Sequence, residues 1–202
     1  MEGIKRLEYR GYDSAGICIQ NGNGLDVRKA TGRISVLETL ISDESFSGTC
    51  GMSHTRWATH GVPNDANAHP HLDASGRIAL VHNGIIENYQ TLRTFLEQRG
   101  VEFKSDTDTE VLVQLIGQLY NGDIEGAVRA ALRDVRGTYG IAVMCSEEPG
   151  KIIAARKGSP LILGVGDGEY VIASDAAAIV QHTTQVIYLS DGEMAVVWDD
   201  GF

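Results

Sequence analysis

The chain is 202 residues long with 43% hydrophobic content, enough to bury one sizeable core, and residues 1–202 are expected to form one domain. The balance of 17 Lys plus Arg against 27 Asp plus Glu leaves a formal charge of -10, which opposes nonspecific attraction to nucleic acid or to an anionic membrane and points to small-molecule partners. No window approaches the ~20 apolar residues of a membrane span, and the opening MEGIKRLEYRG is too charged for a signal peptide, so a cytoplasmic location is expected.

In chain order, Gly16 to Gln20 and Leu25 to Ala30 flank NGNG at 21–24, a hairpin signal because asparagine and glycine tolerate positive φ. Gly48 to Ser53 and Arg77 to His82 read as further short strands. Helical spacing then covers 89–99 with Leu92, Phe95 and Leu96 inward, 109–120 with Leu112, Leu115, Ile116 and Leu119, and 124–135 with Ala127, Val128, Ala131 and Leu132. Glycines at 100, 122 and 137 stop these helices. Beyond Gly137 the pattern returns to strands at 138–145, 151–156, 161–165, 169–173, 185–189 and 194–198, with one short helix at 176–182. Strand groups bracketing a helix group with short links predict antiparallel sheets packed with helices, an α+β fold.

Cys18, Cys50 and Cys145 are an odd count without metal-ligand spacing, and each lies in an apolar, strand-like run that suits a small buried hydrophobe. Cys50 near a histidine leaves a nucleophile–base pair open. Five of the six histidines, His54, His60, His69, His71 and His82, fall within a short stretch, and the pair in NAHPH opens a metallohydrolase reading. No Asp or Glu stands beside that pair at matching spacing, so no metal is assigned.

The run SHTRWATHG, Ser53 to Gly61, has no helical or strand period and is rich in groups that grip. A zwitterionic amino acid needs a planar donor for its carboxylate, which Arg56 offers as a bidentate fork, and an anion for its ammonium, which Asp108 in SDTDTE offers. Asp108 also stands where a helix begins and suits a cap. Hydrolysis further needs donors for a developing oxyanion, and the Asn83 amide with the Gly84 N–H in VHNGIIEN can supply them, although Asn-Gly is equally an ordinary turn signal.

Taken together, RLEYRGYDSAG (Arg6 to Gly16), HTRWATHG (His54 to Gly61), NAHPH (Asn67 to His71), HNGIIEN (His82 to Asn88) and SDTDTE (Ser105 to Glu110) resemble, in order and spacing, the glutaminase domains of the glutamine:fructose-6-phosphate amidotransferase family. The likeness continues through RKGSPLILG (Arg156 to Gly164) and ASDAAAI (Ala173 to Ile179). The resemblance implies an N-terminal-nucleophile hydrolase fold, a four-layer sandwich with two antiparallel sheets between helical layers. It implies L-glutamine as substrate, no cofactor, and a sugar-phosphate isomerase and transferase region as partner, together converting fructose 6-phosphate to glucosamine 6-phosphate for amino-sugar synthesis. By motif, Arg56, Thr59 and His60 would hold the glutamine carboxylate, and Asp108 with Gly84 its ammonium. Asn83 and Gly84 would form the oxyanion hole, Trp57 the covering loop, and Arg10 the nucleophile's side of the pocket. His69 and His71 carry no assigned role.

The family's nucleophile is an N-terminal cysteine, and this sequence opens instead on MEGIKRLEYRG, inside the helix expected to follow the nucleophile's strand, and stops at DDGF. The reading is therefore of a glutaminase domain incomplete at its N-terminus and inactive as written. A non-catalytic glutamine-binding or regulatory module is the alternative.

Overall fold

A computed structural model of the chain describes residues 1–11, 13–43, 46–57 and 61–202. A short helix α1 (Glu2–Lys5) and a 3-10 turn (Glu8–Arg10) lead into the hairpin β1 (Ser14–Asn21) and β2 (Gly24–Thr31), whose register closes Asn21 onto Gly24 around a Gly22-Asn23 loop. The expected hairpin is present and longer than expected, by Asn21 and Gly24 at the turn, by Ser14 and Ala15 at its start and by Thr31 at its end. Helix α2 (Ile34–Ile41) follows, an element absent from the sequence reading, and β3 (Cys50–Arg56) then pairs with the other side of β1, giving the order β2-β1-β3.

A second sheet holds β4 (His71–Leu72), β5 (Ile78–Ile86), β6 (Gly137–Cys145), β7 (Ile152–Lys157) and β11 (Met194–Val197), in the order β11-β7-β6-β5-β4, every ladder antiparallel. A third has the order β10-β8-β9, from β8 (Ile162–Val165), β9 (Tyr170–Ala173) and β10 (Val186–Tyr188). The described strands thus fall into three sheets where two were expected. The expected helix at 176–182 is a single 3-10 turn, Ala176–Ala178, capped by the Asp175 carboxylate accepting from Ala177 N–H.

Helices α3 (Tyr89–Glu97), α4 (Asp108–Leu119) and α5 (Ile124–Asp134) cover one face of the central sheet. Strand alternation sorts the layers. Leu80, Ile141, Val143 and Ile153 point to these helices, while Ala79 and Met144, their neighbours in the same strands, meet Cys18 and Met52 of the first sheet. The other face of that first sheet, through Ala15 and Ile17, packs on Ile4 of α1 and on Ile34 and Leu37 of α2. The stack runs helix, sheet, sheet, helix, an α+β sandwich in which each buried Leu or Ile contributes roughly 1.5–3 kcal/mol. Replacing Ile141, fully buried in the middle of the central sheet, by Ala would cost about 2–5 kcal/mol.

Two helix positions depart from expectation. Phe95 is 41% exposed and lies beneath the Arg99 guanidinium, 3.5 Å from its ring centroid, and Leu119 is exposed at the end of α4. In both cases the apolar stripe is narrower than the helical period alone suggests.

Candidate active site

A cavity of about 520 Å³ opens where β3, β5, β6 and β9 meet α1 and the start of α4. Among the described strands β3 pairs only with β1 and β9 only with β8, and residues of both line the cavity. Of the residues expected to grip substrate, Arg56, Trp57, Asn83, Gly84 and Asp108 all line it. Thr59 and His60 lie outside the described residues, as does the side chain of Arg10, whose backbone closes the 3-10 turn next to Gly11 in the cavity wall.

Arg56 ends β3 and is buried. One of its N–H groups donates to the Gly61 carbonyl at 3.1 Å, and its Nη1 stands 3.7 Å from a carboxylate oxygen of Asp13. Asp13 was not singled out from sequence, although it lies in the RGYDSAG stretch. It also donates its backbone N–H to the Arg56 carbonyl at 2.9 Å, so Arg56 is held at its backbone as well as at its guanidinium. Trp57, the next residue, is 69% exposed at the rim.

Asn83 and Gly84 are not a turn. They lie inside β5, opposite Gly140 and Tyr139 of β6, and the strand expected to stop at His82 runs on to Ile86. Glycine is required here: Gly84 has φ +135°, and a Cβ would stand 2.2 Å from the Thr138 carbonyl oxygen.

Asp108 is buried at the first position of α4, but it does not cap the helix. The cap is Thr107, whose hydroxyl accepts from Glu110 N–H at 3.2 Å. The Glu110 carboxylate turns back to take the N–H groups of Lys104 and Ser105. Relieved of capping, Asp108 accepts the Ile86 N–H at 2.7 Å and faces the cavity.

The histidines form the wall behind these groups. His82 Nε2 meets the Thr138 carbonyl at 3.3 Å, which can only accept, so Nε2 carries a proton, and Nδ1 shares a hydrogen bond with the Thr109 hydroxyl at 3.1 Å. The same hydroxyl also meets His69 Nε2 at 3.0 Å. His71 Nε2 meets the Thr107 hydroxyl at 3.1 Å. Burial holds His69 well below the ordinary imidazole range and pushes His71 down to about 3 and His54 to about 4, so all three rings are neutral at pH 7. Each Nε2 of the NAHPH pair is thus committed to a threonine at the start of α4. Among the described residues no group of three His, Cys, Asp or Glu is arranged to hold a metal ion.

None of the three cysteines lines the cavity. Cys18 and Cys145 are fully buried, and burial pushes the Cys18 thiol up to about 12 and that of Cys50, at the far end of β3, up to about 11. A thiol kept protonated and remote from the pocket is a poor nucleophile, which removes the Cys50–histidine pair.

The profile of a glutamine amidotransferase domain matches residues 38–197. Over its whole length the chain is 57% identical to the glutamine–fructose-6-phosphate aminotransferase (isomerizing) of Chlorobaculum tepidum and 50% identical to that of Thermococcus kodakarensis, spanning 34% of each. It covers about a third of the length of these relatives. Among solved structures, the glutamine phosphoribosylpyrophosphate amidotransferase of B. subtilis superimposes with TM-score 0.82 at 30% identity, over 99% of this chain and 44% of that one. No helix of the described chain is long and apolar enough to cross a membrane.

Proposed function

The chain belongs to the glutamine amidotransferase domain family, and from that premise we propose that it is the glutamine-binding, ammonia-supplying part of an enzyme that makes glucosamine 6-phosphate from fructose 6-phosphate and glutamine. The observation that carries this reading is the presence of a buried cation, Arg56, and a buried anion, Asp108, in the wall of one cavity with the Asn83-Gly84 pair. Arg56 pairs with the α-carboxylate of glutamine, Thr59 and His60 assist it, and Asp108 with Gly84 takes the ammonium. Trp57 covers the bound substrate, and Arg10 borders the place from which the γ-amide is attacked.

In the reaction a thiolate adds to the γ-carbonyl and the oxyanion is met by Asn83 and the Gly84 N–H; the C–N bond then breaks as its nitrogen takes up the proton the thiol gave up, so that ammonia leaves a thioester, and water adds to the thioester to release glutamate and return the thiol. Cys18, Cys50 and Cys145 do not reach the cavity, so the described residues supply grip and oxyanion donors rather than the attacking sulfur. The chain covers about a third of the related enzymes, and in this proposal the ammonia passes to a sugar-phosphate isomerase and transferase region in the remainder. That same remoteness of the thiols favours a second reading, a glutamine-binding module without hydrolysis.

Calorimetric titration of the chain with L-glutamine, paired with an ammonia-release assay, tests both. Saturable binding lost in Arg56→Ala and no release above the buffer rate is the expected result for this chain. Release well above that rate would place an attacking group within it, and absence of binding would overturn the glutamine reading.

A further inference from the structure

His54 lies in the cavity wall on β3, and its Nε2 is 2.9 Å from Oδ1 of Asn83 on β5, a strand of another sheet. An amide oxygen can only accept, so the proton of His54 is on Nε2. The ring is clamped from behind by His69, stacked at 4.3 Å between centroids and 29° between planes. His69 in turn is seated by Gly16, the β1 partner of His54: a Cβ on Gly16 would lie 2.0 Å from the His69 carbonyl oxygen, so only glycine lets that backbone descend onto the sheet. Among the described residues the buried Nδ1 of His54 makes no hydrogen bond, so a proton there would be an unsatisfied buried donor, a second reason, independent of how the amide is turned, for the proton to sit on Nε2.

We propose that His54 is a positioning residue for the oxyanion site: its Nε2–H holds the Asn83 side chain with Oδ1 toward β3, leaving the Nδ2 protons for the substrate. The inference rests on the reading of Asn83 as an oxyanion donor. An asparagine amide is nearly symmetric in shape, and rotation by half a turn about its last bond exchanges donor for acceptor. The wrong orientation would set a carbonyl oxygen against the developing negative charge. In that orientation the Nε2–H would also face the Asn83 NH₂, donor against donor. His54 therefore acts on chemistry without touching the substrate, and because the ring is uncharged it adds no cation beside Arg56. Among the described residues Nδ2 of Asn83 has no other partner.

The test is nitrogen-15 NMR on the full chain at pH 7, with His54→Gln and His54→Phe. Two-bond correlations should show His54 as the Nε2–H tautomer, and the Asn83 NH₂ should give a single slowly rotating pair of signals. In His54→Phe the preference between the two amide orientations should fall by roughly fivefold, the effect of losing one hydrogen bond of ordinary strength. In His54→Gln, whose own NH₂ can donate to Oδ1, it should recover. On addition of L-glutamine the Asn83 NH₂ signals should shift in the parent and in the Gln variant, with the dissociation constant changed less than about threefold in either variant, since His54 holds neither the carboxylate nor the ammonium. An Nδ1–H tautomer, or Asn83 signals indifferent to the Phe change, would overturn the proposal. If His54→Phe does not fold, the tautomer and the Gln variant still decide it. Failure of the parent to bind glutamine would instead sink the functional reading, while the tautomer and amide signals would still judge the positioning.

Discussion

The carboxylate of Asp108 accepts the backbone N–H of Ile86 at 2.7 Å, tying the first residue of α4 to the last residue of β5. One side chain thus has two tasks, to anchor the strand that carries Asn83 and Gly84 and to present negative charge to the cavity. Asp108→Asn separates them, because an amide oxygen can still accept the N–H while the charge is gone. The expected outcome is a thermal midpoint within a few degrees of the parent and glutamine affinity reduced by at least roughly tenfold. A variant that loses stability and keeps affinity would make Asp108 an anchor only.

Arg56 is held by the Gly61 carbonyl and faces Asp13 at 3.7 Å, so its fork is oriented before any ligand arrives. Arg56→Lys keeps the charge and loses the planar fork; glutamine affinity should fall by roughly 10- to 100-fold, read by calorimetry. Arg56→Ala additionally leaves Asp13 with a buried oxygen lacking its cation and should cost about 3 kcal/mol in urea unfolding. Equal affinity for Lys and Arg would show that only the charge matters.

The histidine wall makes the protein acid-labile. His69, His71 and His54 have pKa values depressed by burial, to well below the ordinary value for His69, about 3 for His71 and about 4 for His54, whereas the unfolded chain protonates them near the ordinary 6.5. Below pH 6.5 the unfolded state therefore binds more protons than the folded one, so stability is complete above that pH and is lost progressively as pH falls through about 4 for His54 and about 3 for His71. With three such groups the slope approaches about 4 kcal/mol per pH unit, so about 6 kcal/mol is lost by pH 5, against a total stability of about 5–15 kcal/mol for a typical domain. Urea melts at pH 7, 6 and 5 check this; equal midpoints would contradict it.

At pH 8 a thiol whose pKa is pushed up to about 11 is ionised in only about one molecule in a thousand, which is the case for Cys50, and Cys18 is less ionised still. Iodoacetamide should leave both unmodified in the native chain for hours and alkylate both promptly in urea. Rapid native alkylation of Cys50 with loss of glutamine binding would reopen it as a site residue.

Much of this architecture is legible from residue order because periodicity and turn chemistry agree. NGNG gives the hairpin, and the stripes through Leu112 and Ile116 or Val128 and Ala131 give helices within a residue of their observed ends. What is not legible has local causes. ISVLETLI is eight residues with no side-chain cap, so α2 exists through docking of Ile34 and Leu37 rather than through propensity. Asn83-Gly84 looks like a turn because those residues favour turns, yet the long ladder to β6 and the contact of Gly84 with Thr138 keep it extended. Asp108 resembles a cap because the residue before it, Thr107, is an equally good one. Residue order places His54 only within a histidine cluster and gives Asp13 no role, because their importance lies in partners on other elements, Asn83 and Arg56, which no spacing along the chain reveals.

The pairing of Asn83 with Gly140 and of Gly84 with Tyr139 sets the order in which the molecule can assemble. All of α3, α4 and α5 lies between the two strands, so joining them closes a loop of roughly fifty residues, an entropic cost met before any ladder bond forms. The β1–β2 hairpin closes over a two-residue turn and has no such delay. The hairpin is therefore free to form on the microsecond scale, while the oxyanion strand waits for the helices that make its partner near. In pulse-labelling hydrogen exchange, amides of Ile17 to Gln20 should gain protection before those of Val81 to Ile86, and the capacity to bind glutamine should return only with the second group.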